Sequence, residues 1–340
     1  MIPSKVSKVL GIVSPLVLLG ALVGTMLAVN LPSPSSKSES TPTIDKENRM
    51  EGKAKDFSYV SFSFHEEEKV SFEGKEGATL VFFDDKIEDE KIKKTEELLN
   101  ENSSLTAYFL YPFSSMVGDI SQTVLTTYQN SPIHFGHDDE SSSLLTSFHK
   151  DATYPYAVTM DKEGTIVSSS SSFDTAFSLF GAGEATLGIE VGNIIPELKV
   201  HSYSTDSTFS LREATSGRTT LINFWGTWCG PCVKELPYFG KLKREYPEIE
   251  IVAVHSSDPT DDVKAFIDDM EDGDDYAWKD YGIDFVQDEK LSSGKTYYET
   301  LLGNKNVYPY TFVLDSHQVI HTIHPSSITY EELVSAISNL

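Results

Sequence analysis

The only two cysteines of this 340-residue chain sit together in Trp228-Cys229-Gly230-Pro231-Cys232, between an apolar run and a helical pattern. The run Thr220-Leu221-Ile222-Asn223-Phe224-Trp225 is continuous and β-type, as a buried strand requires. Beyond Pro231, Val233, Leu236, Phe239 and Leu242 recur at helical spacing, so the cysteines occupy the first turn of a helix. Unpaired N–H groups and the positive end of the helix dipole favour a thiolate there, which lowers the pKa of the outer cysteine. Cys229 is therefore the attacking thiol. Cys232, nearer the helix body, is placed to attack a mixed disulfide on Cys229 and release the reduced substrate.

Composition narrows the alternatives. Two cysteines cannot staple a scaffold and cannot alone complete a four-ligand zinc site. With 52 Asp and Glu against 27 Lys and Arg, the net charge of -25 repels phosphate backbones and excludes a nucleic-acid partner. Hydrophobic residues at 39% and aromatics at 11% suffice to bury cores, and the length suits two domains. No glycine-rich phosphate loop and no G-x-S-x-G motif occurs. The segment from His134 to Glu140, and His317, His321 and His324, hold metal-ligand types. Loops of an acidic chain collect such residues, so no metal is expected.

Residues 9–29 carry no charge and at 1.5 Å per residue span about 30 Å, one hydrocarbon core. Lys5 and Lys8 precede them, which keeps the start cytoplasmic and sends the rest across the membrane. A cleaved signal peptide shares these features, but the run is long and its exit lacks a clear small-x-small site. Residues 1–31 are thus read as a cytoplasmic start and signal anchor. Residues 32–55, rich in Pro, Ser, Thr and charge, read as a flexible linker. The expected location is the cell membrane, single-pass, with the C-terminal domains extracytoplasmic.

The strand, WCGPC and helix resemble the thioredoxin superfamily. Pro237 corresponds to that family's helix-kinking proline, and Tyr308-Pro309 ahead of Tyr310-Thr311-Phe312-Val313-Leu314 resembles its cis-proline loop. A cis bond there would leave the backbone of Tyr308 to pair with an extended substrate beside Cys229. By this resemblance Pro309 joins the catalytic set, and Trp228, Gly230, Pro231 and Tyr308 form the substrate-facing rim. The stretch from Val191 to Leu198 is similar to the lead-in of the TlpA/ResA-like branch, which is typically membrane-tethered. Thioredoxin itself has a buried Asp where this chain has Asn223. The branch commonly has Asn there and a Glu three residues past the second cysteine, which implies that Glu235 relays the proton of Cys232. The alternative for Glu235 is an ordinary first-turn acid favoured by the dipole. No cofactor beyond the redox-active disulfide is implied.

The first half repeats the landmarks without the cysteines. Ala78–Asp84 parallels Thr219–Trp225, and Tyr154-Pro155-Tyr156 parallels Tyr308-Pro309-Tyr310 with an Asp five residues past each proline-flanked tyrosine. The fold expected is α/β: two tandem thioredoxin-like domains, each a mixed central sheet flanked by helices, after the transmembrane helix. The bounds are 56–183 for a degenerate copy without CxxC and 188–340 for the catalytic copy. Gly-Pro between the cysteines matches thioredoxin, a reductant at about -270 mV, rather than an oxidant near -120 mV. The expected activity is reduction of disulfide-containing protein substrates, and the resemblance implies that electrons come from a membrane thiol carrier of CcdA or DsbD type. A disulfide-forming oxidant, and a tethered scaffold with a relic dithiol, are the alternatives.

Overall fold

Nearly unbroken runs of apolar side chains at 79–83 and 220–225 form strands buried on both faces, and each lies inside a sheet covered by helices on both sides. The computed structural model describes residues 54–340 except 55, 64–65, 117, 257–259, 274–275, 291–294 and 304–306. The expected anchor at 1–31 and the linker at 32–55, apart from Ala54, lie outside the described residues. Among the described residues no helix is long and apolar enough to cross a membrane.

The first sheet contains β1 (Phe57–Ser61), β2 (Glu67–Val70), β3 (Thr79–Phe83), β4 (Thr106–Tyr111), β5 (His134–His137), β6 (Tyr156–Met160) and β7 (Ile166–Ser170). Its helices are α1 (Asp89–Glu101), α2 (Asp119–Thr127), α3 (Ser143–Phe148) and α4 (Phe173–Phe180). The second sheet contains β8 (Lys199–Ser202), β9 (Thr208–Ser210), β10 (Thr220–Trp225), β11 (Glu250–His255), β12 (Asp284–Asp288), β13 (Tyr310–Leu314) and β14 (Ile320–His324). Its helices are α5 (Leu211–Thr215), α6 (Gly230–Glu245), α7 (Thr260–Asp269), α8 (Tyr297–Leu302) and α9 (Tyr330–Ile337).

The two sheets have the same topology. The first runs β2-β1-β5-β4-β3-β6-β7 and the second, read from its other edge, β9-β8-β12-β11-β10-β13-β14. The senses agree pair by pair: β3–β4–β5 and β10–β11–β12 are parallel, and the flanking pairs are antiparallel. Register agrees too, since Phe83 faces Tyr156 as Phe224 faces Tyr310. Both Tyr154-Pro155 and Tyr308-Pro309 are cis. After each following strand an Asp closes the hairpin. Asp161 Oδ1 accepts the N–H groups of Glu163 and Thr165, and Asp315 Oδ1 those of His317 and Val319.

Alternation along the central strands assigns each helix a face. Leu221 and Trp225 pack toward α6, α7 and α9, whereas Ile222 and Phe224 pack with Tyr298 and Leu302 of α8. In the first half Leu80 and Phe82 pack with α1 and α4, and Val81 and Phe83 with α3. The halves meet through Val167, Leu179 and Ile194, joined by Leu187 and Val319. Ser178 Oγ donates to the Ser316 carbonyl and accepts the Gly217 N–H, and His317 Nδ1 bonds the Ser178 carbonyl at 2.7 Å.

Candidate active site

Central strand β10 ends at Trp225, and the turn Gly226–Trp228 leads into α6 with Cys229 at its N-cap. Proline at the second helical position costs nothing, because that N–H has no partner in a helix anyway. Cys229 and Cys232 form a disulfide, their Cα atoms 5.3 Å apart. The Cys232 N–H points at Cys229 Sγ across 3.3 Å, so a thiolate formed at Cys229 is met by a backbone donor as well as the helix dipole. Pro237 lies inside α6, where it removes one intrahelical donor.

Both cysteines are buried. Cys229 keeps 5% of its surface and Cys232 none. Trp228, by contrast, is 57% exposed and meets the Tyr308 ring edge-on at 5.2 Å. Tyr308 packs against the cluster that includes both cysteines, with the cis bond to Pro309 directly after it. Gly230 is exposed and a Cβ there would meet nothing within 4 Å, so the helix start presents backbone to an incoming chain. Pro231 is exposed beside it.

Glu235 lies one turn past Cys232 on the same face of α6 and is buried. Its Oε1 accepts Asn223 Nδ2 at 2.9 Å and its Oε2 accepts the Ile328 N–H at 2.9 Å. Burial pushes its carboxyl up to about 7, against those two hydrogen bonds, which pull it down. Asn223 Nδ2 also donates to Thr311 Oγ1 at 3.0 Å. Thr311 and the Ile328 backbone were not among the residues expected at the site. Neither carries a sequence signal of its own, since both arrive only when β13 and the start of α9 fold against β10.

The corresponding place in the first half holds different chemistry. The N-cap of α1 is Glu88, and Lys91 stands three residues on; the two form a 2.8 Å ion pair. Lys91 Nζ is also 3.8 Å from the buried Asp84 carboxylate and lies over the Phe82 ring at 4.7 Å. The register that sets Asn223 beside Thr311 sets Phe82 beside Ala157, so the polar pair under the dithiol is apolar here. An ion pair thus occupies the position of the disulfide, and this half offers no sulfur for exchange.

The histidine-bearing segments are used structurally. His134 stacks on Tyr108, the His137 ring packs against Phe62 and Phe113, and Asp138 accepts the Leu144 and Leu145 N–H groups. Among the described residues no group of three or more His, Cys, Asp or Glu is arranged to hold a metal ion.

A CxxC pair at the N-cap of a helix that follows a central strand, faced by a cis-proline loop, defines a thiol-disulfide exchange site. The redoxin family matches residues 190–336. The thioredoxin-like protein YneN of Bacillus subtilis (strain 168) is 32% identical over 152 residues, 43% of this chain and 78% of YneN. The thiol-disulfide oxidoreductase ResA of Halalkalibacterium halodurans is 32% identical over 137 residues, 39% of this chain and 67% of ResA. A solved structure of a thiol:disulfide interchange protein DsbE from Chlorobium tepidum, 20% identical, covers 45% of this chain and 98% of its own with a TM-score of 0.36. The chain belongs to the redoxin family of thioredoxin-like thiol-disulfide oxidoreductases, with ResA and YneN among its relatives. Enzymes of this kind work through the cysteine pair itself, and the pair present here fits that chemistry.

Proposed function

We propose that this protein is a membrane-anchored, extracytoplasmic enzyme that reduces disulfides of secreted or membrane proteins through Cys229 and Cys232. The observation that carries the reading is the dithiol at the N-cap of α6 beside the exposed Trp228 and the Tyr308-Pro309 loop. The Cys229 thiolate attacks a substrate disulfide, breaking its S–S bond and forming a mixed disulfide while the first substrate thiolate takes a proton. The Cys232 thiolate then attacks Cys229 Sγ, closing the Cys229–Cys232 disulfide and freeing the second substrate thiolate. Two electrons pass to the substrate. A membrane thiol carrier of CcdA or DsbD type returns them.

Glu235 holds the proton that Cys232 gives up. Its burial, its place one turn past Cys232 and a pKa near neutrality support that role, and Asn223, which has no proton to exchange, orients it. Pro309 keeps Tyr308 beside the dithiol, and Trp228, Gly230, Pro231 and Tyr308 receive the substrate chain. In this reading residues 1–31 anchor the chain, 32–55 tether it, 56–183 form a thioredoxin-like copy without CxxC and 188–340 the catalytic copy. The shared strand order of the two sheets supports the tandem assignment. The first copy then acts as a spacer or docking surface.

Reduction rather than oxidation is favoured by the Gly-Pro dipeptide between the cysteines. Redox titration of the purified chain tests it. A potential near -270 mV is expected, and one near -120 mV would turn the enzyme into an oxidant. Alkylation trapping in cells gives the second arm: mostly free thiols at Cys229 and Cys232 for a reductase, mostly disulfide otherwise.

A further inference from the structure

The loop that faces the dithiol is held from behind by a residue on another element. Helix α8 is pinned at its start by the buried Asp288, whose Oδ1 accepts the Tyr297 N–H at 3.1 Å and whose Oδ2 accepts the Tyr298 N–H at 2.9 Å. Ser256 Oγ donates to the same carboxylate, and Thr296 and Glu299 close a reciprocal capping box. From this fixed helix the Tyr298 side chain, with no exposed surface, reaches between two aromatic rings. Its centroid is 4.6 Å from Phe224 on β10 and 4.6 Å from Tyr308, and its hydroxyl donates to the Val307 carbonyl. Phe224 belongs to the strand that leads into the dithiol helix, and Tyr308 to the loop opposite. Tyr298 therefore sets the spacing between them.

We propose that Tyr298 is a positioning residue for disulfide exchange, holding the Val307–Pro309 loop where a substrate polypeptide must lie to reach Cys229. The inference rests on the reading that the substrate chain sits beside Tyr308 and Trp228. The molecule contains its own control. In α3, the counterpart of α8, the residue whose N–H meets Asp138 Oδ2 as that of Tyr298 meets Asp288 Oδ2 is Leu145, which packs into the apolar core and has no hydroxyl to offer. That helix is also capped by a buried Asp, Asp138, so the pinned helix persists while the tyrosine is absent from the half without a dithiol. The phenol accompanies the chemistry, not the fold.

The test compares the full chain, pre-reduced, with Tyr298→Phe and Tyr298→Leu in single turnover. The two probes are insulin and the small disulfide 5,5′-dithiobis(2-nitrobenzoate), which needs no polypeptide seat. Tyr298→Phe keeps the ring and loses one hydrogen bond, so insulin reduction is expected to slow about five-fold while the small-disulfide rate stays within two-fold. Tyr298→Leu, copying the first half, is expected to widen that split. An unchanged insulin-to-small-disulfide ratio in both variants overturns the proposal, as does a parallel loss of both rates with a lowered melting temperature. Trp228→Ala separates the two readings. If it lowers the ratio and the Tyr298 variants do not, the seat stands and the positioning role falls; if it leaves the ratio unchanged, the seat itself is wrong.

Discussion

Glu88 and Cys229 occupy the same position, the N-cap of the helix that follows the central strand, five residues past the strand residue that faces a tyrosine after a cis-proline. Three residues on, Lys91 matches Cys232, so an ion pair in one half stands where a disulfide stands in the other. The two pairs solve the same geometric problem, linking the first turn of a helix to itself, with different bonds.

That equivalence predicts that Glu88→Cys/Lys91→Cys, in a Cys229→Ser/Cys232→Ser background, forms a new intramolecular disulfide. Peptide mass spectrometry after mild oxidation should find residues 88 and 91 crosslinked. Removing Lys91 leaves the buried Asp84 without its cation, so the reduced variant should lose about 1–2 kcal/mol of stability. Two alkylatable thiols persisting under oxidant would show that the helix starts differ.

Cys232→Ser should stop the reaction after its first step. Attack by Cys229 survives, because its N-cap position does not depend on the second sulfur, but nothing resolves the adduct. Multiple turnover should fall to background, with mixed disulfides accumulating on Cys229 and visible on non-reducing gels. Absence of any adduct, with the variant folded, would assign the attack to the wrong cysteine.

A carboxyl raised to about 7 by burial binds its proton more tightly in the folded chain than in the unfolded one. The folded state then holds the extra proton between the ordinary carboxylate range and about 7, so stability falls as pH rises through that window. Asp288, raised to about 6 by burial, acts with the same sign over a lower window. Glu235→Gln should flatten the upper part of the stability profile, between about pH 6 and 7.5, and leave the lower part. It should also shift the pH dependence of Cys232 alkylation. Melting curves and alkylation rates that superimpose on the parent across pH 5–8 would remove Glu235 from the proton path.

Gly181→Ala probes the junction of the halves. Its backbone is ordinary for any residue, but a Cβ there falls into the His317 ring. The ring must move, which breaks its bond to the Ser178 carbonyl and should cost about 1–3 kcal/mol. Because the dithiol lies elsewhere, the small-disulfide rate should hold while the melting temperature drops. A melting temperature equal to the parent's would mean the junction has slack.

Much of the site was legible because thiol chemistry needs few residues at fixed spacing. The run ending at Trp225, the proline inside the helix start and the apolar series Leu236, Phe239 and Leu242 mark strand, turn and helix without tertiary information. The duplicated Tyr-Pro-Tyr and its following Asp marked matching hairpins in the two halves, because a hairpin closed by an Asp imposes a local sequence. Thr311, the Ile328 N–H, Asp288 and Tyr298 were not legible. Their roles depend on which strand lies beside which, and no local pattern encodes that.

By itself, then, the chain order specified a cysteine at a helix N-cap with a second cysteine one turn in, since capping and dipole act within a few residues. Only the folded molecule decided that Glu235 is buried under Asn223 with a pKa near neutrality, that Tyr298 braces the loop opposite Cys229, and that Glu88 and Lys91 fill the dithiol's place in the first half. Burial and long-range contact set those three, because desolvation and packing belong to the surroundings of a side chain and not to its neighbours in sequence.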